Sequence, residues 1–125
     1  MMKQLVVFIL GGTAGTLARF WLSGAVYQWG GTGFPYGTLV VNLFGCWLIG
    51  LFTGLAEDKF LLSPEMRLLL MVGFCGAFTT FSTLIYESDS LIRDGETLRA
   101  FINILVSVTA GFIMFRLGIW VADMI

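Results

Sequence analysis

The sequence that decides the fold is GFCGAFTTFST, residues 73–83, which places two glycines and four hydroxyl side chains inside an apolar segment. Hydroxyls alone would fit an unbroken helix, because serine and threonine can bond back to a carbonyl one turn earlier. The glycine-rich start followed by Thr-Thr-x-Ser-Thr favours an interrupted helix instead. Broken membrane helices occur where they are buried in protein or line a wet cavity, and their freed carbonyls can bind cations. The stretch therefore predicts a functional break, with the unbroken helix as the alternative.

The composition around this stretch indicates a membrane protein. Hydrophobic residues make up 58% of the 125 residues and charged residues 12%, against about 25% charged in soluble domains. No Asp, Glu, Lys or Arg lies between Arg19 and Glu57, or between Arg67 and Glu87, and a membrane span takes about 20 apolar residues. The net charge of −1 gives no indication of a nucleic-acid partner. We therefore expect the lipid bilayer to surround the chain.

Hydropathy and helix-breaking residues divide the chain into four transmembrane helices within a single membrane domain, residues 1–125. The predicted helices cover residues 4–26, 36–56, 67–92 and 98–123. Residues 27–35 contain three glycines and a proline, which is typical of a turn. Ser63 followed by Pro64 is typical of a helix start. The sequence thus predicts an all-α integral membrane bundle whose third helix is broken in mid-membrane.

Small residues recur at helical spacing and indicate how the helices pack. Gly11 and Gly15 are four residues apart, and so are Gly50 and Gly54. Apolar side chains give little net drive for association in lipid, so close backbone approach at small residues is a common way to pack membrane helices. We expect a tight bundle.

The basic residues are distributed almost evenly between the two ends of the predicted bundle. One side carries Lys3, Lys59 and Arg67, and the other carries Arg93 and Arg99, with Arg19 able to reach it. This is almost no bias under the positive-inside rule. Either the signal is weak by chance or the chain inserts in both directions, and the second alternative would suit an antiparallel dimer.

Two polar side chains within the apolar segments need an explanation. Arg19 lies about 22 Å along the first helix at 1.5 Å per residue, near the far edge of the membrane. It either extends to the interface or forms a positive rim that attracts an anion. Asn42 lies one turn into the second helix, and an amide in lipid is costly without a partner. We expect it to face another helix or a wet path.

Neutral hydrogen-bond donors accompany Asn42. Asn103 and Ser107 are four apart and share a face of the last helix, and together with Asn42 they form a candidate row with Ser82 and Thr83. A pore for a small, strongly hydrated anion needs such donors to replace water. The edge of the Phe81 ring carries partial positive charge and can contact an anion, although packing is the ordinary role of a membrane phenylalanine.

Three motifs in this sequence resemble the Fluc (CrcB-type) fluoride channels. They are GGTAGTLAR at residues 11–19, GTLVVNLFG at 37–45 and GFCGAFTTFST at 73–83. The resemblance covers all four predicted helices in order. It implies antiparallel, dual-topology homodimers in the prokaryotic inner membrane, with two fluoride pores along the dimer interface.

The resemblance also implies roles for individual residues. A structural sodium ion at the dimer centre would be held by the backbone carbonyls of Gly76 and Thr79. The fluoride pathway would include Asn42, Phe81, Ser82, Thr83, Ser107, Arg19, Thr38 and Glu87. Two positions depart from the family pattern: Leu84 stands where a second pore phenylalanine is usual, and Asn103 where some relatives carry tyrosine. Their place in the pore is therefore in doubt.

The resulting interpretation is a passive fluoride channel that relieves cytoplasmic toxicity, and not an enzyme. A proton-coupled drug exporter of the small multidrug-resistance type is the first alternative, but it needs a carboxylate within the first span. The first acidic residue here is Glu57, in a predicted loop. An accessory membrane subunit without its own pore is the second alternative, and it leaves the row of neutral donors unexplained.

Overall fold

A computed structural model describes all 125 residues as a bundle of four long helical spans. The helices, in chain order, are α1 (Met2–Gly30), α2 (Tyr36–Thr53, with a π-helical extension over Gly54–Asp58), α3 (Pro64–Arg67, Leu68–Cys75 and Gly76–Phe78, of which the middle part is π-helical), α4 (Phe81–Arg93) and α5 (Thr97–Asp123). The third span combines α3 and α4, and each span is long and apolar enough to cross a membrane. The chain is an all-helical, multi-pass membrane protein.

The first helix is longer than the sequence predicts. It begins two residues before the predicted range of 4–26 and ends four residues after it, which leaves residues 31–35 as the turn. The Tyr27 ring accounts for the extension, because it lies against Gly37 of α2, where a Cβ would overlap it. Gly31 then ends the helix with a φ of 75°, a conformation that glycine adopts without steric cost.

The start of the third span agrees with the prediction from Ser63 and Pro64. The Ser63 side chain accepts a hydrogen bond from the backbone N–H of Met66 at 3.2 Å, and Pro64 occupies the first helical position. The cap satisfies one of the amides that a helix start leaves without a partner. The predicted helix start is confirmed, three residues before the predicted range of 67–92.

Glycines bring the helices into backbone contact where the sequence predicts small-residue packing. A Cβ at Gly11 would overlap the carbonyl oxygen of Leu69 in α3, and one at Gly15 would overlap that of Phe74. On α2, Gly50 lies in the same way against the backbone of α5. Glycine at these positions therefore permits α1 to pack on α3 and α2 on α5, which confirms the prediction of a tight bundle.

Contacts at the two ends establish which connections lie on the same side. At one end, the Lys3 ammonium lies 3.6 Å from the Glu65 carboxylate, and Lys59 donates to the carbonyl of Asp123 at 3.4 Å. At the opposite end, Arg99 in the first turn of α5 donates to the carbonyl of Gly33, in the turn between α1 and α2, at 3.4 Å. The N-terminus, the connection between the second and third spans, and the C-terminus therefore share one end.

The outer surface of the bundle is strongly apolar. Only 21 of the 125 residues are buried, and Phe20, Trp21 and Phe112 are 72%, 67% and 67% exposed. Soluble monomers rarely expose contiguous apolar surfaces larger than a few hundred Å². Such a surface requires lipid or another protein around it.

Candidate functional site

The third span changes conformation at two residues between α3 and α4. Thr79 has φ and ψ of −90° and 158°, and Thr80 has −151° and 115°, so both are extended. On one side of them the Phe78 ring is buried and stacks on Phe74, with centroids 5.5 Å apart. On the other side the Phe81 ring is 74% exposed. The extended pair thus separates an anchored ring from an unpacked one.

Asn42 of α2 binds the extended segment through both ends of its side-chain amide. Its Oδ1 accepts from the backbone N–H of Thr80 at 2.8 Å, and its Nδ2 donates to the Thr80 carbonyl at 3.0 Å. The sequence predicts that this amide needs a partner in lipid. That partner is the backbone of Thr80, 38 positions away in the sequence.

The Thr80 side chain makes a second connection, to the start of α4. Its Oγ1 accepts from the backbone N–H of Thr83 at 3.2 Å and lies 3.0 Å from the Thr83 hydroxyl oxygen, to which it donates. Threonine at this position is a common N-cap, because it satisfies an amide that the first helical turn leaves free. Thr80 is therefore bound on its backbone by α2 and on its side chain by α4.

A groove of about 300 Å³ opens beside the extended segment, and we call it the central groove. Its lining includes Asn42, Gly76, Thr79, Phe81, Leu84 and Ser107. No charged side chain lines it, and hydroxyl, amide and aromatic residues stand among apolar ones in its lining. Six of the residues singled out from the sequence are brought together here: five lie on four helices, and Thr79 lies in the extended segment.

A second groove, of about 280 Å³, also has Thr80 in its lining, and we call it the Glu87 groove. Arg19, Thr38, Thr83 and Glu87 all line it. Glu87 Oε1 accepts from the Thr38 hydroxyl at 2.8 Å and from the Tyr27 hydroxyl at 3.2 Å. The other carboxylate oxygen, Oε2, is buried without a hydrogen-bond partner in the chain. This groove therefore holds one basic and one acidic group, in contrast to the neutral central groove.

Comparison with known proteins agrees with this arrangement. A family model described as CrcB-like protein, Camphor Resistance (CrcB), matches residues 6–119. The chain belongs to the CrcB family. The resemblance inferred from the three motifs is thereby confirmed.

Relatives of this CrcB-family chain align over nearly their whole length. A protein of Hydrogenovibrio crunogenus is 50% identical over 94% of this chain and 89% of its own. A Geobacter protein is 48% identical over 97% and 98%, and a Nitrosococcus oceani protein is 41% identical over the full length of both. Each of the three relatives is named Fluoride-specific ion channel FluC.

Two residues singled out from the sequence lie outside both grooves of this CrcB-family chain. Asn103 is 1% exposed, and its Nδ2 donates to the Ser88 hydroxyl at 3.0 Å between α5 and α4. Ser82 is exposed at the start of α4, with its hydroxyl 3.5 Å from that of Thr80. Within one chain, the expected row of neutral donors is thus reduced to Asn42, Thr83 and Ser107, the residues that reach a groove.

The sequence did not single out Tyr27 or Thr80 as site residues. Tyr27 falls in the predicted turn, and its partner Glu87 lies 60 positions away, so no spacing in the sequence connects them. Thr80 lines both grooves, and its place in the Thr-Thr pair was a usable signal. A threonine before a helix is a cap candidate, and α4 begins directly after Thr80.

Proposed function

We propose that this chain forms a fluoride-selective passive ion channel in the prokaryotic inner membrane, which lets cytoplasmic fluoride leave the cell and reduces its toxicity. The observation that carries this proposal is the full-length similarity to proteins named fluoride-specific ion channels, at 41–50% identity. The process is transport without covalent chemistry. The ion moves down its own gradient.

The chemistry of the central groove supports an anion path. Ser107 carries a buried hydroxyl without a hydrogen-bond partner in the chain, Asn42 retains one amide hydrogen beyond the one given to Thr80, and the edge of the exposed Phe81 ring carries partial positive charge. Neutral donors can replace the water around fluoride without the deep trap that a full positive charge in the pore would create. Leu84 lines the same groove as an apolar wall.

The Glu87 groove supports a polar entrance to this path. Arg19 gives it a positive group that attracts anions. The Tyr27 and Thr38 hydroxyls both donate to Glu87, which disperses the negative charge of the carboxylate. Thr80 and Thr83 line this groove, and Thr80 also lines the central groove, so the two grooves share a hydroxyl residue.

We further propose that two chains associate antiparallel and that the pores lie between them. The Phe81 ring and much of the apolar surface are uncovered in a single chain, so another surface has room to pack there. The basic residues also permit both orientations. With Arg116 of α5 counted, the two sides carry Lys3, Lys59, Arg67 and Arg116 against Arg19, Arg93 and Arg99.

The expected sodium ion at the dimer centre is part of the same proposal. Gly76 and Thr79 line the central groove. The Thr79 hydroxyl donates to the Cys75 carbonyl at 2.9 Å, so the backbone carbonyl of Thr79 is the candidate ligand. In a continuous helix, the two carbonyls would accept from the amides of Thr80 and Thr83. Those amides bind side chains instead. The free carbonyls therefore fit a monovalent cation, which would bring positive charge to a groove that no charged side chain lines.

Efflux from proteoliposomes tests the proposed function. Vesicles loaded with potassium fluoride should release fluoride when a potassium ionophore balances the charge, and vesicles loaded with potassium chloride should not release chloride above the protein-free level. Equal release of the two anions would contradict fluoride selectivity. Reporter fusions at the C-terminus test the antiparallel dimer separately, since they should be active on both sides of the membrane.

A further inference from the structure

We propose that Asn42 and Thr80 are positioning residues that keep the carbonyls of Gly76 and Thr79 free, so that the Asn42 amide belongs both to the anion path and to the cation site. The identity of the two ions rests on the proposed function. The exchange of hydrogen bonds that frees the carbonyls rests on the geometry alone.

The first exchange is made by Asn42. In a continuous α-helix the N–H of Thr80 would donate to the carbonyl of Gly76, four residues earlier. It donates instead to Asn42 Oδ1 at 2.8 Å, while Asn42 Nδ2 donates to the Thr80 carbonyl at 3.0 Å. A planar amide that pairs with both backbone groups of one residue acts as a neighbouring strand would, and it favours the extended conformation. Asn42 thus competes directly with the helix for this donor.

The second exchange is made by the Thr80 hydroxyl. In a continuous helix the N–H of Thr83 would donate to the carbonyl of Thr79. It donates instead to Thr80 Oγ1 at 3.2 Å. In a continuous helix, each of the two carbonyls expected to hold the cation would accept a hydrogen bond from one of these amides. Both amides donate to side chains instead, so both carbonyls lack their helical donor. One residue, Thr80, takes part in both exchanges, through its backbone and through its hydroxyl.

The Asn42 amide also faces the anion path. A primary amide has two hydrogens on nitrogen, and one of them is used on the Thr80 carbonyl. Asn42 lines the central groove, where its second hydrogen can donate to an anion. An anion bound there and a cation bound at Gly76 and Thr79 would both depend on the same orientation of one amide. We infer that loss of the amide impairs both sites together.

The hydroxyl exchange is tested by the sodium-dependent shift in unfolding temperature of the full-length protein. The shift is measured between sodium and N-methylglucamine buffers, since a ligand that binds only the folded state stabilises it. Thr80→Val removes the hydroxyl at nearly constant volume and should lose more than half of the wild-type shift, whereas Thr80→Ser should keep it. Thr109→Val, at an exposed threonine of α5, is the matched control and should keep the full shift.

Asn42 is tested with two variants that divide its roles. Asn42→Ala removes both bonds to Thr80 and should lose most of the sodium shift as well as fluoride flux. Asn42→Asp keeps an acceptor for the Thr80 N–H, so it should retain at least half of the sodium shift. Its carboxylate has no hydrogen to give an anion and adds negative charge, so its fluoride flux should fall as far as that of Asn42→Ala.

The outcomes separate this inference from the proposed function. If Thr80→Val and Asn42→Ala keep the full sodium shift, or if the wild type shows no shift at all, the positioning role is wrong, whatever the anion selectivity. If the variants lose the shift as expected but the wild type passes chloride as readily as fluoride, the positioning role stands and the fluoride proposal fails.

Discussion

Two regions of the third span are separated by a few residues and are stabilised in different ways. Where α3 packs on α1, Gly11 and Gly15 permit contact between backbones, and no side-chain hydrogen bond is involved. At the extended segment, the Asn42 side chain of α2 binds the Thr80 backbone, and the Thr80 hydroxyl binds Thr83 of α4. The first region depends on the absence of side-chain volume. The second depends on which donor meets which acceptor.

This difference determines how each region responds to substitution. A carbonyl oxygen of a packed helix cannot move aside, so added volume in the glycine contact separates the helices. At the extended segment a lost side-chain bond can be replaced by the helical bond with which it competes, so the conformation changes while the bundle survives. We therefore expect substitutions in the glycine contact to abolish folding and substitutions at the extended segment to change function.

The largest effect is expected at the glycine contact. Gly15→Val would place side-chain atoms on the carbonyl oxygen of Phe74, and the clash should cost more than the roughly 1–3 kcal/mol typical of overpacking. The yield of monodisperse protein after extraction should collapse. Gly24→Val on the same helix is the control, because nothing lies within 4 Å of a Cβ there. Normal yield and unfolding temperature for Gly15→Val would show that backbone contact does not hold α1 to α3.

A smaller effect on stability is expected at Leu84. Its side chain is 5% exposed, so Leu84→Phe adds ring volume to a filled position and should destabilise the protein by about 1–3 kcal/mol. The unfolding temperature should fall and fluoride flux should not rise. Ile85→Phe, at the neighbouring and 44% exposed position, should be tolerated better. A stable Leu84→Phe protein with higher flux would mean that the central groove accepts a second ring, as the usual family pattern has it.

Phe81 should affect transport rather than stability. Its ring is 74% exposed, so Phe81→Ile changes little packing within the chain but removes the positive ring edge from the central groove. Fluoride efflux should fall about tenfold, equivalent to about 1.4 kcal/mol in the barrier. Size-exclusion chromatography beside the efflux trace distinguishes a weakened pore from a protein that no longer forms the proposed dimer. A dimeric Phe81→Ile protein that conducts like the wild type would remove this ring from the pore.

The smallest effect is expected at the Lys3–Glu65 ion pair. The charged atoms are 3.6 Å apart and the side chains are 78% and 49% exposed, and exposed pairs are worth about 0–1 kcal/mol. Lys3→Gln should leave the unfolding temperature nearly unchanged at any salt concentration. A large decrease in the unfolding temperature at low salt would mean that the ends of the bundle contribute more to stability than the glycine contact and the extended segment do.

The glycine contact and the four spans were predictable from the sequence because their signals are local. Each prediction rests on residues at or near the feature that it concerns. Long uncharged segments predict the spans, small residues four apart predict the helix contacts, and Ser63–Pro64 predicts the start of the third span. The end of α1 was predicted too early. The local glycines of residues 27–35 favoured a turn, and the contact of Tyr27 with Gly37 that extends the helix is a tertiary one.

The candidate site was predictable only in part. The residue types and the place of the extended segment follow from residues 73–83, and the structure gathers most of the predicted positions into two grooves. No pattern in the sequence indicates that Asn42 binds the backbone of Thr80, or that Asn103 binds Ser88 away from both grooves. Both contacts depend on the direction in which a side chain points from its own helix toward a neighbouring one. Helical periodicity in the sequence does not specify that direction.

The most direct test of the central claim, selective fluoride conduction, is the reversal potential across a planar bilayer that contains the purified protein. With a tenfold fluoride gradient and equal chloride on both sides, the current should reverse near the fluoride equilibrium potential, about 59 mV for a monovalent ion. With a tenfold chloride gradient and equal fluoride, it should reverse near zero. A reversal potential that follows the chloride gradient, or a bilayer without protein-dependent current, would contradict the account.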